Sequence, residues 1–443
     1  MAFQQGLSGL NSSSKALDVI SNNVANASTV GFKNSGTVFA DAYASSLTGA
    51  VSKVQIGIGS QVQAVRQAFV QGNLTTTSNP LDMAINGNGF FEIEMPDGSF
   101  ALSRNGQFDI NKEGYIVNTL GDRVMGYQNI DAVSGDVSAP NNPSIDSFRP
   151  LFVPAMGVGA AATSEMKLNL NLSADDSVIP EPAAPAPPLD PSDDETFHYS
   201  TGMVIFDSLG KEHTLSYYFV RRSDVVDTTA TPPTYSEWDM YTMVDNDETT
   251  LTHNSTVGFD GLGRVAEVQA FNVPAGVTLP SGHSFFSHNL DPASLQPTDA
   301  LISLRELTQF GGATKPRELT QNGAAPGDIA GLSVSRNGVI QARYTNGMSK
   351  DIGIVNLTTV RNNNGLSPIG NNYWVETPES GGFARGAPGN GMNGVISSGQ
   401  VEESNVDLTQ ELVQMIIQQR NYQANAQSIR TQDQILQTLV NLR

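Results

Sequence analysis

The chain has 443 residues, no cysteine and a formal net charge of −20 at pH 7. Without cysteine there are no disulfides and no thiolate metal sites, and so large an acidic excess disfavours nucleic acid or an anionic membrane as partner. About three domains are expected at this length, and a charged fraction of only 15% beside 42 glycines fits a turn-rich β protein.

From the N-terminus, Phe3, Leu7, Leu10, Ser14, Leu17, Ser21 and Val24 recur at steps of four and three. That spacing predicts one stripe of a helix. Asn22, Asn23 and Asn26 are poor helix formers, so the helix is expected to end near them. Gly36, Gly49, Gly57, Gly59 and Gly72 lie among short apolar runs and predict an extended connector over 31–75, returning over 366–400. Strand and turn signals alternate from Leu81 to Tyr127, with Asp97-Gly98, Asn105-Gly106 and Gly121-Asp122 read as the turns. Asp-Gly and Asn-Gly supply the positive backbone angles of tight hairpins. The same grammar returns at Asn337-Gly338 and Asn346-Gly347. An inner β domain of 76–145 and 318–365 is therefore predicted, interrupted by an inserted outer β domain over 146–317.

The insertion holds 23 acidic and 9 basic residues, so 9 − 23 = −14 of the net charge lies there. Strands are expected at 203–206, 213–220 and 238–244, with a turn at Asp260-Gly261. Six prolines between Pro180 and Pro191 precede Asp193-Asp194-Glu195, a composition that predicts a solvated, partly polyproline-like loop.

At the C-terminus the seven-residue repeat is longer: Leu408, Leu412, Met415, Gln419, Tyr422, Ala426, Ile429, Asp433, Leu436 and Val440. Residues 408–443 carry three arginines against Glu411 and Asp433 and are nearly neutral. A helix of this span would be about 54 Å long, and burying its seam would contribute on the order of 10–20 kcal/mol. Ordering the backbone costs roughly 1–2 kcal/mol per residue, so the helix needs partners on its seam and flanks. The N-terminal stripe is too short to cover it, and the remaining partners are inferred to be other copies of the chain. An intramolecular pair closing a monomer is the alternative. The fold class predicted is multidomain α+β: helices in 1–30 and 401–443 form a coiled-coil-like inner domain, with nested mainly-β outer domains.

Candidate chemistry is sparse. Gly389-Asn390-Gly391-Met392-Asn393-Gly394 matches a dinucleotide glycine spacing, but Ala387-Pro388 precedes it in place of a strand. All five histidines (His198, His213, His253, His283, His288) fall in the insertion without metal-ligand spacing. Neither a nucleophile elbow nor a Ser/His/Asp grouping can be placed. No enzyme activity, cofactor or metal is expected, which leaves a secreted hydrolase without candidate residues. An adhesin would not need helices at both ends. No stretch is long and apolar enough to cross a bilayer, and the first 30 residues do not read as a secretory signal.

Three sets of residues carry a family resemblance. The run Ser8-Gly9-Leu10, Asp18, Asn22-Asn23-Val24-Ala25-Asn26, Thr29 and Gly31-Phe32-Lys33 closely resembles the start of bacterial flagellar rod and hook axial proteins. The stretch Ser404-Asn405-Val406-Asp407-Leu408, Glu411-Leu412-Val413, Gln419-Arg420-Asn421-Tyr422 and Gln432-Asp433-Gln434 is similar to their C-terminal segment. Leu81-Asp82-Met83-Ala84-Ile85, Gly89-Phe90-Phe91 and Arg104-Asn105-Gly106 resemble their first β domain. The large insertion and the segment 35–41 favour the hook branch, with the distal rod protein as alternative. The resemblance implies terminal helices forming an inner tube, β domains projecting outward, and a self-assembling helical polymer that bends while transmitting torque. It also implies the distal rod protein, the hook cap protein and the hook–filament junction protein as partners. Finally, it implies an extracellular flagellar location reached through the flagellar type III export apparatus without a cleaved signal peptide.

Overall fold

The structure is a computed structural model and describes residues 2–42, 59–130, 137–154, 157, 159–181, 189–223, 235–271, 273–290 and 298–441. The chain divides into two compact units. The first comprises Met1–Ala155, Ala330–Arg343 and Ser349–Arg443; the second comprises Met156–Ile329 and Tyr344–Met348.

The first unit contains both long helices, α1 (Ala2–Ala25) and α2 (Leu408–Asn441). No proline interrupts either one. The start of α2 is fixed by Asp407, whose Oδ1 accepts the backbone N–H groups of Thr409 (2.9 Å) and Gln410 (3.1 Å). This satisfies donors that a helix start otherwise leaves open. Beyond α1, strand Ser35–Ala42 pairs antiparallel with Gly59–Gln67; the part of the expected connector between them, 43–58, lies outside the described residues.

The body of this unit is a sheet of thirteen strands. Phe90, Leu102, Leu366 and Trp374 form one of its buried clusters, with Phe69 packed on it. Gly98, Gly121, Gly338 and Gly347 all take positive φ at turns, as their Asp-Gly, Gly-Asp and Asn-Gly settings require. Asn105-Gly106 differs from the sequence reading. Phe100–Ser103 pairs with Phe90–Glu94 and Tyr373–Val375, while Phe108–Ile110 pairs with Ile116–Asn118. The dipeptide therefore links strands that are not partners. Its glycine is needed because a Cβ would lie 1.6 Å from the Met83 carbonyl oxygen. Residues 366–400, read from sequence as a connector limb, also contribute strands. Tyr373 and Trp374 pair with Ser103 and Leu102, Val360 pairs with Phe383, and Val395–Ser398 pairs with Met83–Asn86. The first and last of these pairs join residues far apart along the chain, so local composition does not reveal them.

The second unit packs two five-stranded sheets. One is an antiparallel meander of Tyr199–Phe206, Glu212–Ser223, Ser236–Val244, Thr252–Phe259 and Val265–Ala270. The other is built around Glu165–Ser173, which runs parallel to Thr298–Ser303 and Thr308–Phe310 and antiparallel to Lys315–Gln321. Alternation along Glu165–Ser173 sends Met166, Leu168, Leu170 and Leu172 into a core shared with Tyr217, Phe219, Trp238, Met240 and Phe259. On the meander's other face, Tyr218, Val220, Tyr241 and Met243 are covered by Leu189 and Phe197. Most of the proline-rich stretch, 182–188, lies outside the described residues.

Candidate assembly surface

The two helices of the first unit run antiparallel in close contact. A Cβ on Gly6 would lie 2.9 Å from Ile429 Cγ1, and one on Gly9 would lie 2.7 Å from Asn425 Nδ2. Further along, Asn34 Nδ2 donates to Glu411 Oε1 at 2.9 Å. The buried positions of α1 are Gly6, Ser12, Ser13, Ala16, Ile20 and Asn23. Ser12 and Ser8 turn toward the hairpin: Ser12 Oγ donates to the Ser60 carbonyl (3.1 Å), and the Ser60 N–H donates to Ser8 Oγ (3.3 Å). On α2 only Glu411 is buried among the described side chains, and Met415, Gln418, Asn425, Ala426, Ile429 and Gln432 are half-buried.

The inward face of this pair is thus mostly small and polar, with Ile20 and Ile429 among the larger exceptions, while most of the large apolar side chains point to water. Phe3 is 47% exposed, Leu412 44%, Ile416 51% and Leu436 54%, and Leu7, Leu408, Val413, Ile417, Tyr422 and Ile435 are exposed with them. Helix interfaces inside a folded protein are normally the reverse, with the apolar stripe covered. Glycine costs roughly 0.5–1 kcal/mol relative to alanine within a helix, and here its return is close backbone approach. The C-terminal end of α2 also runs past its neighbour. Gly6 lies opposite Ile429, so Ile435 and Leu436 reach beyond the start of α1.

Within the chain, the two apolar seams do not zip to each other. Of the N-terminal stripe, Phe3 and Leu7 are exposed, while Leu10, Leu17 and Val24 are half-buried. Of the C-terminal stripe, Leu408, Leu412, Tyr422 and Leu436 are exposed, and Met415 and Ile429 are half-buried. The stripe of Phe3, Leu7 and Leu10 is offset by one residue from Gly6 and Gly9, which make the contact. The physical reason is distance, because bulky stripes would hold the backbones further apart than the glycine contacts allow.

Both ends of the chain are tied to the β body by a buried ionic knot. Glu402 accepts from Lys33 Nζ at 2.6 Å and from Arg104 Nη1 at 3.2 Å, with the Glu402 and Lys33 side chains fully buried. Its Oε1 also accepts the Gly72 N–H (2.8 Å), and Lys33 Nζ donates to the Val70 carbonyl (2.8 Å). Burial pulls the Lys33 ammonium below its ordinary pKa although Glu402 opposes the shift, and Arg104 is lowered in the same way. Gly31 has φ +72°, and a Cβ there would meet the Asn105 N at 2.6 Å. Asn23 exchanges hydrogen bonds with Ser35, donating to its carbonyl (2.8 Å) and accepting its N–H (3.0 Å). Asn26 Nδ2 donates to the Asn22 carbonyl (3.0 Å), and Phe32 is buried. The motif residues Asn22, Asn23, Asn26, Gly31, Phe32 and Lys33 therefore build the junction where α1 leaves the sheet. Glu402, Arg104, Asn405 and Glu411 were not singled out as site residues. The family motif runs include Arg104, Asn405 and Glu411 but not Glu402, whose partner Lys33 lies 369 positions away.

The glycine-rich run 389–394 closes on itself through the Gly389 N–H to the Gly394 carbonyl (2.8 Å), and Gly394 donates to the Asn88 carbonyl (2.7 Å). Among the described residues no group of His, Asp and Glu has a metal-holding arrangement, and no helix is long and apolar enough to cross a membrane.

Four family profiles match in chain order. They are flagella basal body rod protein (3–33), flagellar hook protein FlgE/F/G D1 domain (84–147), flagellar basal body protein FlaE D2 domain (167–324) and flagellar basal body rod FlgEFG protein C-terminal (397–442). The chain is 35% identical over 445 residues to the flagellar hook protein FlgE of Escherichia coli, covering 100% of both chains. It is 34% identical to that of Salmonella typhimurium, again over 100% of both, and 29% identical to that of Borreliella burgdorferi, over 100% and 99%. A crystal structure of Helicobacter pylori flagellar hook protein FlgE2 has a similar fold, with TM-score 0.50 and 14% identity over 74% of this chain and 99% of that one. The distal rod alternative is not favoured by these relatives.

Proposed function

This chain belongs to the flagellar hook protein family and is a structural subunit of the hook, and from that membership we propose that α1 and α2 are its polymerising elements. The observation that carries the proposal is the inverted helix pair, mostly small and polar where the helices touch and apolar where they face water. Phe3, Leu7, Leu408, Leu412, Tyr422 and Leu436, with the half-buried Leu10, Leu17 and Val24, bury against neighbouring copies. Met415 and Ile429 hold α2 to α1 and share in the same surface. Each exposed side chain is already about half covered, so completing its burial contributes about 1 kcal/mol. The ten exposed side chains together reach on the order of 10 kcal/mol, which is comparable with the roughly 4–15 kcal/mol cost of immobilising one copy. A single neighbour is therefore insufficient, and a lattice of several neighbours is stable. That is the energetic signature of a tube rather than a dimer.

The division of the chain follows from the same logic. Residues 1–30 and 401–443 form the helical tube domain, 31–75 links it to the β body, and 76–155 with 330–343 and 349–400 form that body; the limits read from sequence move because 366–400 supplies body strands and Lys315–Gln321 pairs within the second unit. The second unit, 156–329 with 344–348, is a separate β domain whose acidic charge favours weak, water-rich contacts. Strong apolar contacts in the tube and weak polar contacts elsewhere let the polymer bend while carrying torque. The distal rod protein, the hook cap protein and the hook–filament junction protein are the proposed neighbours along the axis. Export through the flagellar type III export apparatus suits helices that become stable only on assembly. Electron microscopy of the purified chain under polymerising conditions tests this reading. Curved tubes are expected; soluble monomers under all conditions would overturn it.

A further inference from the structure

The second unit holds two charged features that the tube-forming helices do not use. Arg264 and Arg305 are exposed, and among the described residues neither guanidinium has a hydrogen bond or ion pair. Both line one groove of about 350 Å³, together with Glu267, Ser281 and Thr308. The groove follows Val265–Ala270, the edge strand of the meander. Gly282, with φ +75°, leaves room for Arg305, because a Cβ there would lie 2.5 Å from Arg305 Cγ. Two unpaired cations in one groove are unusual in a unit that is otherwise so acidic.

The matching feature is segment 189–195. Leu189 is buried against Tyr218 and Tyr241 and pins the segment to the meander's outward face. Asp190, Asp193, Asp194 and Glu195 are all exposed. Asp190 and Asp193 each spend one oxygen on a local turn, accepting the backbone N–H of Ser192 (2.9 Å) and Glu195 (3.0 Å). Among the described residues, Asp194 and Glu195 hold no cation.

The acidic segment covers the face opposite the inter-sheet core, whereas the arginine groove lies at the meander's edge, where Val265 and Val268 pack onto that core. Two complementary patches at different places on one body make a head-to-tail contact between copies, which propagates when the rotation does not close. We propose that the acidic segment 189–195 of one copy docks in the Arg264/Arg305 groove of the next. The occupant is a second copy of this chain because the charges are complementary and the acidic segment is pre-shaped by its own turns. Exposed ion pairs are individually weak and salt-sensitive, so the contact can slip and re-form as a polymer bends. This inference names a partner surface for the polymer and rests on the assembly reading above.

The chain has no native cysteine, so disulfide mapping has no background. The double variant Asp194→Cys/Arg305→Cys is polymerised and then oxidised. A ladder of covalent oligomers is expected from the polymer, and monomer only from dilute chain oxidised in the same way. Normal polymers that yield nothing above a dimer would overturn the docking contact while leaving the role of the helices intact. Failure of the unsubstituted chain to polymerise would sink the assembly reading and the contact with it. As a second arm, Arg264→Glu/Arg305→Glu should at least double the critical concentration for polymerisation at low salt, with the difference shrinking as salt screens the repulsion. Adding Asp193→Lys/Asp194→Lys should restore it; equal critical concentrations in all three proteins contradict the proposal.

Discussion

The second unit and the terminal helix pair solve the problem of apolar surface in opposite ways. In the sandwich, Trp238, Tyr217, Phe219 and Phe259 are all but sealed between two sheets. In the helix pair, Gly6 and Gly9 face the partner helix, and Leu412, Ile416 and Leu436 face out. The sandwich is complete as a single copy; the helices are half of an interface. Stability and assembly are thus assigned to different parts of one chain, so substitutions should separate them.

The largest effect is expected on the helices. Leu412→Asp or Tyr422→Asp places a charge where apolar contact is required and should abolish polymerisation in a sedimentation assay. The monomer's melting temperature should stay within about 2 °C, since exposed positions contribute little to folding. Next is the ionic knot. Glu402→Gln leaves Lys33 and Arg104 buried without their counter-charge, and should cost roughly 3–5 kcal/mol in the first unit. Amide exchange should speed up there and stay unchanged in the second unit; uniform acceleration would mean the units are not independent. Gly31→Ala is expected to be milder, about 1–3 kcal/mol, from a strained positive φ and the clash with Asn105.

The smallest effect concerns acid. Burial raises the Asp239 carboxyl, but hydrogen bonds from His253, Thr256 (2.7 Å) and Arg222 (3.1 Å) outweigh it, and its pKa lies below the ordinary value. A depressed folded pKa stabilises above the unfolded value, and that stability is lost as pH falls through the folded one. The second unit should therefore weaken below about pH 4. Asp239→Asn should flatten that decline in a pH-dependent melting series, and an unchanged slope would remove Asp239 as its cause.

The existence and extent of both helices were legible from spacing, because steps of three and four have no other use at such length. The face was not. Phe3, Leu7 and Leu10 mark the stripe a reader would bury, whereas Gly6 and Gly9 one place away make the contact. Periodicity records which residues are apolar and is silent on whether a helix of the same copy or of another covers them. Of the knot, only Lys33 and Arg104 lie in the motif runs; Glu402 carries no signal in the sequence, because it meets Lys33 across 369 positions. Strand 373–375 escaped for the same reason, since its partner 100–103 lies far upstream.

The central claim is that the outward apolar stripe is open in the monomer and closed in the polymer. Single cysteines introduced by Leu412→Cys, Ile416→Cys and Leu436→Cys can be titrated with a maleimide in both states, free of native thiols. The account predicts fast labelling of the monomer and at least tenfold slower labelling once tubes have formed from the same protein. Equal rates in monomer and tube would contradict it.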